Sequence, residues 1–468
     1  MSEIVSVFFL SLLASAIVVY LIRTFIRTKE LISPWTLFLM LFLLDILIPA
    51  ILYIGFEEYR AATYWAVYIP YFQAGDFLRS VIVFIASVCF FGFGYFGVGR
   101  ILGAAVARKS GHKESVLGSW KLNATRVYWM MALSGGIYLA SIMFSIQSHG
   151  SFLSYLEYKF MRIYGQKLVY DTQIETMVFL LAPIMRTFFS MLVGVLFYYR
   201  KRYKHGVLWG IIFPVIGLIS ASSTFLRGSL LLYFFMLLMV EIFRIKESYH
   251  GAESEVHLKT LSKITVKTFL FVFLALVFFS GYGAVRNYRS SEVQKSNISF
   301  NDAVLFEAKR FLHGEGLIGL TWIIQSFPGS AEYLKGKTFV DMLLLPVPRS
   351  LYPSKPLWYG VADITRAMGS PESTQDAVTM PGELYANFGY LGIPFMSVYG
   401  AVFGLFWRFK QRPRFKFVYA TLLPGIMVTT FWMSFTGFVN SILSIPVLLI
   451  SLVFIISRES LPVNNLPL

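Results

Sequence analysis

Long apolar runs alternate with short polar segments along most of the chain. Each run has about 17 to 25 residues, the length at which a helix crosses a hydrocarbon core of ~30 Å. The apolar positions do not alternate with a period of two, which argues against an outer-membrane β-barrel. The runs predict about eleven membrane-spanning helices (ten to twelve), at 4–22, 35–56, 79–99, 127–147, 176–199, 207–223, 226–243, 264–284, 386–407, 417–437 and 440–457. The short pair 207–223 and 226–243 could instead form one hairpin or two half-helices.

One large polar segment interrupts this pattern. Residues 285–380 contain no membrane-length apolar run, so the chain divides into three parts. Residues 1–284 carry the first eight helices, 285–380 form a large loop with re-entrant or interfacial helices, and 381–468 carry three helices and a short cytoplasmic tail. Loops on a rigid scaffold commonly carry function, so we look for the site in the large loop.

The composition agrees with an all-α polytopic membrane protein. Hydrophobic residues make up 56% of the chain and charged residues 14%, which a water-soluble interior cannot accommodate. The single cysteine, Cys89, excludes an intrachain disulfide and a multi-cysteine metal site. Neither a Walker A motif nor a GxSxG motif is present. The glycine-rich run 91–99 lies inside an apolar helix and therefore predicts close helix packing rather than nucleotide binding.

The distribution of the basic residues, which give a formal net charge of +16, indicates which loops lie on the cytoplasmic side of the membrane. Basic residues cluster in four loops that fall on one side of an eleven-helix count, at 100–126, 200–204, 244–263 and 408–416. Because Lys and Arg stay in the cytoplasm, the N-terminus is predicted outside, together with loops 57–78, 148–175 and 285–380. No cleavable signal peptide is expected, since no basic residue precedes the first apolar run. Because the basic residues are spread over several short loops, we expect them to attract anionic lipid headgroups rather than to bind nucleic acid.

Some charges fall within predicted membrane helices. Asp45 and Arg186 lie at similar depth, where an unpaired charge costs at least about 2.5–3.5 kcal/mol. We expect a mutual ion pair; alternatively, Arg186 lines a polar cavity open to the outer face. Glu241 lies near a cytoplasmic helix end and is expected to snorkel to the headgroups.

Several cations are predicted at the outer face. Arg227 follows the small polar turn 220–225, where unpaired helix N–H groups and the guanidinium could together bind a pyrophosphate. Alternatively, Arg227 anchors the helix to lipid phosphate. Arg286 and Arg289 leave helix 264–284 at headgroup level. Arg349 and Lys355 lie in a segment that four prolines stiffen, Leu345-Pro-Val-Pro-Arg-Ser-Leu-Tyr-Pro-Ser-Lys-Pro356.

Candidate bases flank these cations in sequence. The stretch 301–327 has helical spacing, and we expect it along the membrane surface with Phe306, Phe311 and Leu312 buried. His313 and Glu315 lie at a break in it. Glu383 opens the helix 386–407, where it could cap the helix or act as a base in the outer cavity.

The order of these elements resembles the bacterial oligosaccharide repeat-unit polymerases, the Wzy-type O-antigen and capsule polymerases. Four elements carry the resemblance: Arg227 after a polar turn, the Arg286 and Arg289 pair, the proline segment, and Gly-Glu-Leu-Tyr-Ala-Asn-Phe-Gly-Tyr-Leu-Gly at 382–392. The resemblance covers about a third of the chain. It implies a membrane fold like that of the metal-independent C-type glycosyltransferases.

The resemblance also implies a reaction. Such an enzyme sits in the bacterial inner membrane and works at the periplasmic face without a cofactor. It moves a growing glycan from undecaprenyl pyrophosphate to the non-reducing end of a new lipid-linked repeat unit. A Wzz-type chain-length regulator and a flippase are the implied protein partners. The implied pyrophosphate-binding residues are Arg227, Arg286, Arg289, Arg349, Lys355 and Arg186; the implied catalytic candidates are Glu383, Glu315 and His313.

Two other functions share this architecture. An O-antigen ligase uses the lipid A core as acceptor, and composition does not distinguish it. A lipid-linked oligosaccharide flippase or other transporter would typically show repeated halves, with cations spread through the bundle rather than in one large outer loop.

Overall fold

The structure is a computed structural model, and it describes part of the chain. The described residues are 3–28, 33–57, 72–98, 120–122, 124–148, 188–198, 208–222, 314–344, 361–369, 378–409 and 456–458, with isolated positions at 101, 150–151, 154, 185, 200, 233–234, 236–238 and 240–241.

Helices dominate these residues. The α-helices are α1 (Glu3–Thr28), α2 (Pro34–Leu41), α3 (Ile48–Gly55), α4 (Ala74–Phe93), α5 (Ala124–Ser148), α6 (Phe188–Tyr198), α7 (Phe213–Ser222), α8 (Glu315–Ser326), α9 (Lys337–Leu343), α10 (Val361–Ala367), α11 (Met380–Phe388) and α12 (Met396–Phe409). Wider π-helical turns lie at Phe42–Leu47, Gly94–Val98 and Leu208–Ile212, and a 3₁₀ segment lies at Gly389–Phe395. Two short strands, β1 (Trp120–Leu122) and β2 (Ile456–Arg458), pair antiparallel.

Five helical stretches are long and apolar enough to cross a membrane. They are Glu3–Thr24, Pro34–Gly55, Ala74–Val98, Thr125–Phe144 and Met380–Leu405. Each coincides with a predicted span, and α6 and α7 lie within two more. The chain is therefore a helical membrane protein. The predicted helices 264–284 and 417–437 lie outside the described residues, as do most of 226–243 and 440–457.

The glycine-rich run packs as its composition predicts. A β-carbon on Gly94 would lie 1.8 Å from the backbone oxygen of Ser397, and one on Gly400 would lie 2.0 Å from that of Phe91. Only glycine permits this approach, so the end of α4 and α12 touch backbone to backbone. Because lipid is as apolar as the side chains, such close packing, rather than the hydrophobic effect, holds membrane helices together. The prediction for run 91–99 is confirmed.

The second span contains a π-helical turn with an identifiable cause. Pro49 has no N–H with which to bond the carbonyl of Asp45 one turn earlier, so the regular ladder is interrupted there. The turn at Phe42–Leu47 accommodates the interruption, as local π-helical turns do. It presents Asp45 toward the start of α8, whose Gly314 would carry a β-carbon 2.6 Å from the Asp45 backbone oxygen.

Helix α8 corrects one expectation. Residues 301–327 were expected along the membrane surface, yet the described part is enclosed by other helices. Buried residues occur around the whole helix, from Gly316 to Ser326. The Thr321 hydroxyl lies 2.8 Å from that of Ser80 on α4, deep in the bundle. Such enclosure requires small residues for close contact, and Gly316 and Gly319 provide them on this helix. Phe306, Phe311 and Leu312 lie outside the described residues.

Glu241 also differs from expectation. Its side chain is 1% exposed, and its carboxylate forms an ion pair with Arg200 instead of snorkelling to the headgroups. The Arg200 guanidinium also donates to the Phe197 carbonyl at 2.6 Å and lies over the Phe197 ring. A buried carboxylate is stable when such a cation satisfies it, and removing one partner typically costs about 3–5 kcal/mol.

Candidate functional site

The starts of α8 and α11 lie side by side. A β-carbon on Gly316 would lie 3.0 Å from Thr379 Cγ2, whereas one on Gly382 would lie 2.8 Å from Ile323 Cδ1. The contacts advance in the same direction along both helices, so the helices run parallel and their N-termini are neighbours. Each N-terminus carries unpaired N–H groups and about half a positive charge, so the pair favours anions.

The Asp45 carboxyl lies at this place. Its Oδ1 accepts a hydrogen bond from the Gly316 N–H at 3.3 Å, and its Oδ2 occupies the space that a Gly316 β-carbon would need. The backbone reaches this position because Gly314, the residue before α8, adopts a left-handed conformation with φ 60°. Arg186, the partner predicted for Asp45, lies outside the described residues. The described partner of Asp45 is the N-terminus of α8.

Glu383 occupies the first turn of α11 and is fully buried, with 0% exposure. It does not cap the helix. Thr379 is the N-cap: its hydroxyl accepts from the Gly382 N–H at 3.3 Å, and its carbonyl accepts from the Glu383 N–H at 2.9 Å. The capping interpretation is therefore wrong. The carboxyl is enclosed by protein in the described conformation, so it does not lie open to the outer cavity in which the sequence placed a possible base.

Asn387, one turn after Glu383, ties α11 to the large polar segment. Its Nδ2 donates to the Glu383 carbonyl and to the Thr338 hydroxyl, both at 2.8 Å, and its Oδ1 accepts from the Gly336 N–H at 3.0 Å. The backbone N–H of Lys335 also donates to the Asn387 carbonyl at 3.0 Å. One buried amide thus fixes the turn before α9 against the helix that carries Glu383.

An aromatic cluster packs beside this connection. Tyr385 meets Tyr333 and Tyr390 edge to face, with ring centroids 6.1 and 5.2 Å apart, and Phe388 stacks on Phe339 at 6.0 Å. Such geometries are the ones that aromatic pairs prefer. These ring contacts hold the segment after α8 against α11.

Two acidic side chains of the polar segment lie together. Asp341 of α9 and Asp363 of α10 are 7% and 6% exposed, and their carboxyls lie within hydrogen-bonding reach of each other. Lys337 Nζ lies 3.4 Å from Asp363 Oδ1. Burial raises the pKa of Asp341 above its ordinary 3.8; the hydrogen bond and charge of Asp363 raise it further, and Lys337 partly offsets this.

Two of the nine predicted site residues lie within the described part of the chain. Glu315 and Glu383 are described, and they open the two neighbouring helices α8 and α11. The remaining predicted residues lie outside the described residues: His313, Arg186, Arg227, Arg286, Arg289, Arg349 and Lys355. Within the described ranges, no group of three or more His, Cys, Asp or Glu side chains is arranged to hold a metal ion.

Sequence reasoning missed Asn387 as a connector and missed the pair Asp341 and Asp363. Asn387 lies within the motif 382–392, so the motif indicated the region of the site. It did not indicate that Asn387 connects α11 to the turn before α9. No sequence signal connects the two aspartates, since they lie on different short helices.

No protein-family model matches the chain, and comparisons with curated proteins and with solved structures find no match. Functional inference therefore depends on the motifs and on the geometry just described.

Proposed function

We propose that this membrane protein polymerises lipid-linked oligosaccharide repeat units at the periplasmic face of the bacterial inner membrane. The donor is a growing glycan on undecaprenyl pyrophosphate, and the acceptor is the terminal sugar of an incoming repeat unit. The observation that carries the proposal is the junction at α11. The motif residues Glu383 and Asn387 lie there in a buried position that joins the membrane bundle to the large polar segment.

The chemistry requires a base and cations. The acceptor hydroxyl loses a proton to the base while its oxygen forms the new glycosidic bond, and the bond to undecaprenyl pyrophosphate breaks. Glu383 is our first candidate for the base, because a positioned carboxylate can accept such a proton. Glu315 and His313 are the alternatives. Arg227, Arg286, Arg289, Arg349 and Lys355 would stabilise the departing pyrophosphate, with Arg186 lining the cavity.

The parallel helices α8 and α11 support this assignment of roles. Their neighbouring N-termini favour negative charge, and the Asp45 carboxyl accepts a hydrogen bond from the start of α8. Glu315 and Glu383 each lie in the first turn of one of these helices. Since Glu383 is enclosed, we propose that the acceptor reaches it after a rearrangement of the polar segment, as is common where closure excludes water.

The glycan profile of a deletion strain tests the reaction class. Loss of a polymerase leaves lipopolysaccharide or capsule carriers with a single repeat unit. Loss of a ligase or flippase leaves no repeat unit attached. The second profile would overturn the proposal in favour of one of those two functions.

Complementation with Glu383→Gln then tests the base. Glutamine keeps the shape and accepts hydrogen bonds but takes no proton, so we expect polymerisation to fall by about 10²-fold or more. The matched control is Glu332→Gln, an exposed carboxylate of the same polar segment. Both proteins should reach the membrane at equal levels. Long-chain glycan at wild-type levels from the Glu383→Gln protein would exclude Glu383 and leave Glu315 or His313 as the base.

A further inference from the structure

Helices α9 and α10 meet through Asp341 and Asp363, two side chains that would normally repel each other. Both are more than nine-tenths buried. In the described part of the chain, one carboxylate oxygen of each, Oδ2 in both cases, is buried and without a hydrogen-bond partner. Burying a charged group without a partner is costly, so an arrangement with both carboxyls ionised would be unstable.

A single proton resolves this conflict. Two carboxyls within hydrogen-bonding reach form a strong bond when one is protonated and donates to the other. Like charges at this separation cannot both be retained in a buried site, which is why carboxyl pairs share a proton. Lys337 contacts the other oxygen of Asp363, so it balances the one remaining negative charge.

We propose that Asp341 and Asp363 share one proton, and that this proton holds α9 against α10. Release of the proton leaves two buried negative charges facing one half-exposed lysine, and the two helices separate. The inference is independent of the proposed function, because it rests on these helices alone. In sequence, the pair brackets the segment that carries Arg349 and Lys355.

The surrounding charges permit this behaviour. The charged and titratable groups on the three elements packed here are Lys337 on α9, Arg366 on α10, and Glu383 and Tyr385 on α11. Among the residues that the structure describes, Asp363 and Lys337 are the two whose charges act on Asp341. Lys337 is 53% exposed, so solvent weakens its effect. A divalent cation at the pair would have to displace this lysine from Asp363, whereas a proton between the two carboxyls leaves the lysine in place.

The sign of the pH dependence follows from linkage. Asp341 has a raised pKa in the folded protein, so its protonated form stabilises the fold. That contribution is complete below the ordinary value of 3.8 and is lost as the pH rises through the folded value. Folding stability from this pair is therefore greater in acid and declines toward higher pH.

Thermal unfolding of the purified protein in detergent, measured across pH, tests the proposal. We expect the wild type to lose stability above a midpoint that lies higher than 3.8. Asp341→Asn, which donates a hydrogen bond without titrating, should remove this transition. Lys337→Met should move the midpoint upward, because a nearby cation favours the ionised carboxyl. Glu332→Gln, with an exposed carboxyl, should retain the wild-type curve.

Infrared spectroscopy provides a second readout that does not depend on variant stability. The difference spectrum between wild type and Asp341→Asn should show the carbonyl stretch of one protonated carboxylic acid, and this band should disappear across the same pH range. Identical pH curves for wild type and Asp341→Asn, or no such band in their difference spectrum, would overturn the proposal. Stabilisation of the wild type by Mg²⁺ or Ca²⁺, reversed by a chelator and absent from Asp341→Asn, would replace the proton with a metal ion.

Discussion

Asn387 connects three parts of the polypeptide through one side chain. Its amide satisfies the Gly336 N–H, the Thr338 hydroxyl and the Glu383 carbonyl, all away from water. A buried polar group that loses its partner costs more than the hydrogen bond itself contributed. The Asn387 side chain therefore stabilises the contact between the polar segment and α11.

Replacing this residue gives a prediction at the residue scale. Asn387→Ala leaves the Gly336 N–H and the Thr338 hydroxyl buried without their partner, so it should lower the free energy of unfolding by about 1–3 kcal/mol. The matched control is Ser397→Ala, which removes an exposed hydroxyl that bonds a carbonyl within its own turn. Thermal unfolding in detergent compares the two. Equal unfolding temperatures for both variants would show that the Asn387 contacts are not formed in solution.

At the scale of elements, the contact of α4 with α12 makes the next prediction. Gly94→Ala places a methyl group 1.8 Å from the Ser397 backbone oxygen, which must force the helices apart. Overpacking of this kind costs about 1–3 kcal/mol or more. Gly97→Ala, in the same π-helical turn, meets nothing closer than Phe93 Cε2 at 3.9 Å and should change stability by less than about 0.5 kcal/mol. The unfolding temperatures and the monodisperse yields in detergent separate the two cases.

Apolar run length predicted the spans at this scale because the membrane fixes the length of a crossing helix. The interruptions were not predicted, since they depend on single residues: Pro49 in the second span, and Gly389 and Pro394 where α11 passes into the 3₁₀ segment. The burial of α8 was also missed. Its apolar stretch is too short to register as a span, and the contacts that enclose it come from distant parts of the sequence.

At the scale of the whole molecule, two contacts constrain which loops share a face. β1 pairs with β2 in a register that aligns Lys121 with Ser457, and Arg200 pairs with Glu241. In the eleven-helix count, the loops and helix ends that carry these residues all belong to the cytoplasmic side. The contacts agree with that count, because the count places both members of each pair on the same side of the bilayer.

The last prediction tests this topology with cysteines in a Cys89→Ala background. In intact spheroplasts, an impermeant maleimide should label Glu332→Cys, since residue 332 is exposed and the eleven-helix count places it outside. It should not label His205→Cys until the cells are lysed. Oxidation should join Lys121→Cys to Ser457→Cys, whereas the mismatched pair Lys121→Cys and Glu332→Cys should remain separate, because the count places its members on opposite sides of the bilayer. Labelling of position 205 but not 332 in intact spheroplasts would invert the topology. It would place the α11 junction in the cytoplasm, where lipid-linked repeat units are assembled rather than polymerised, and the proposed function would fail with it.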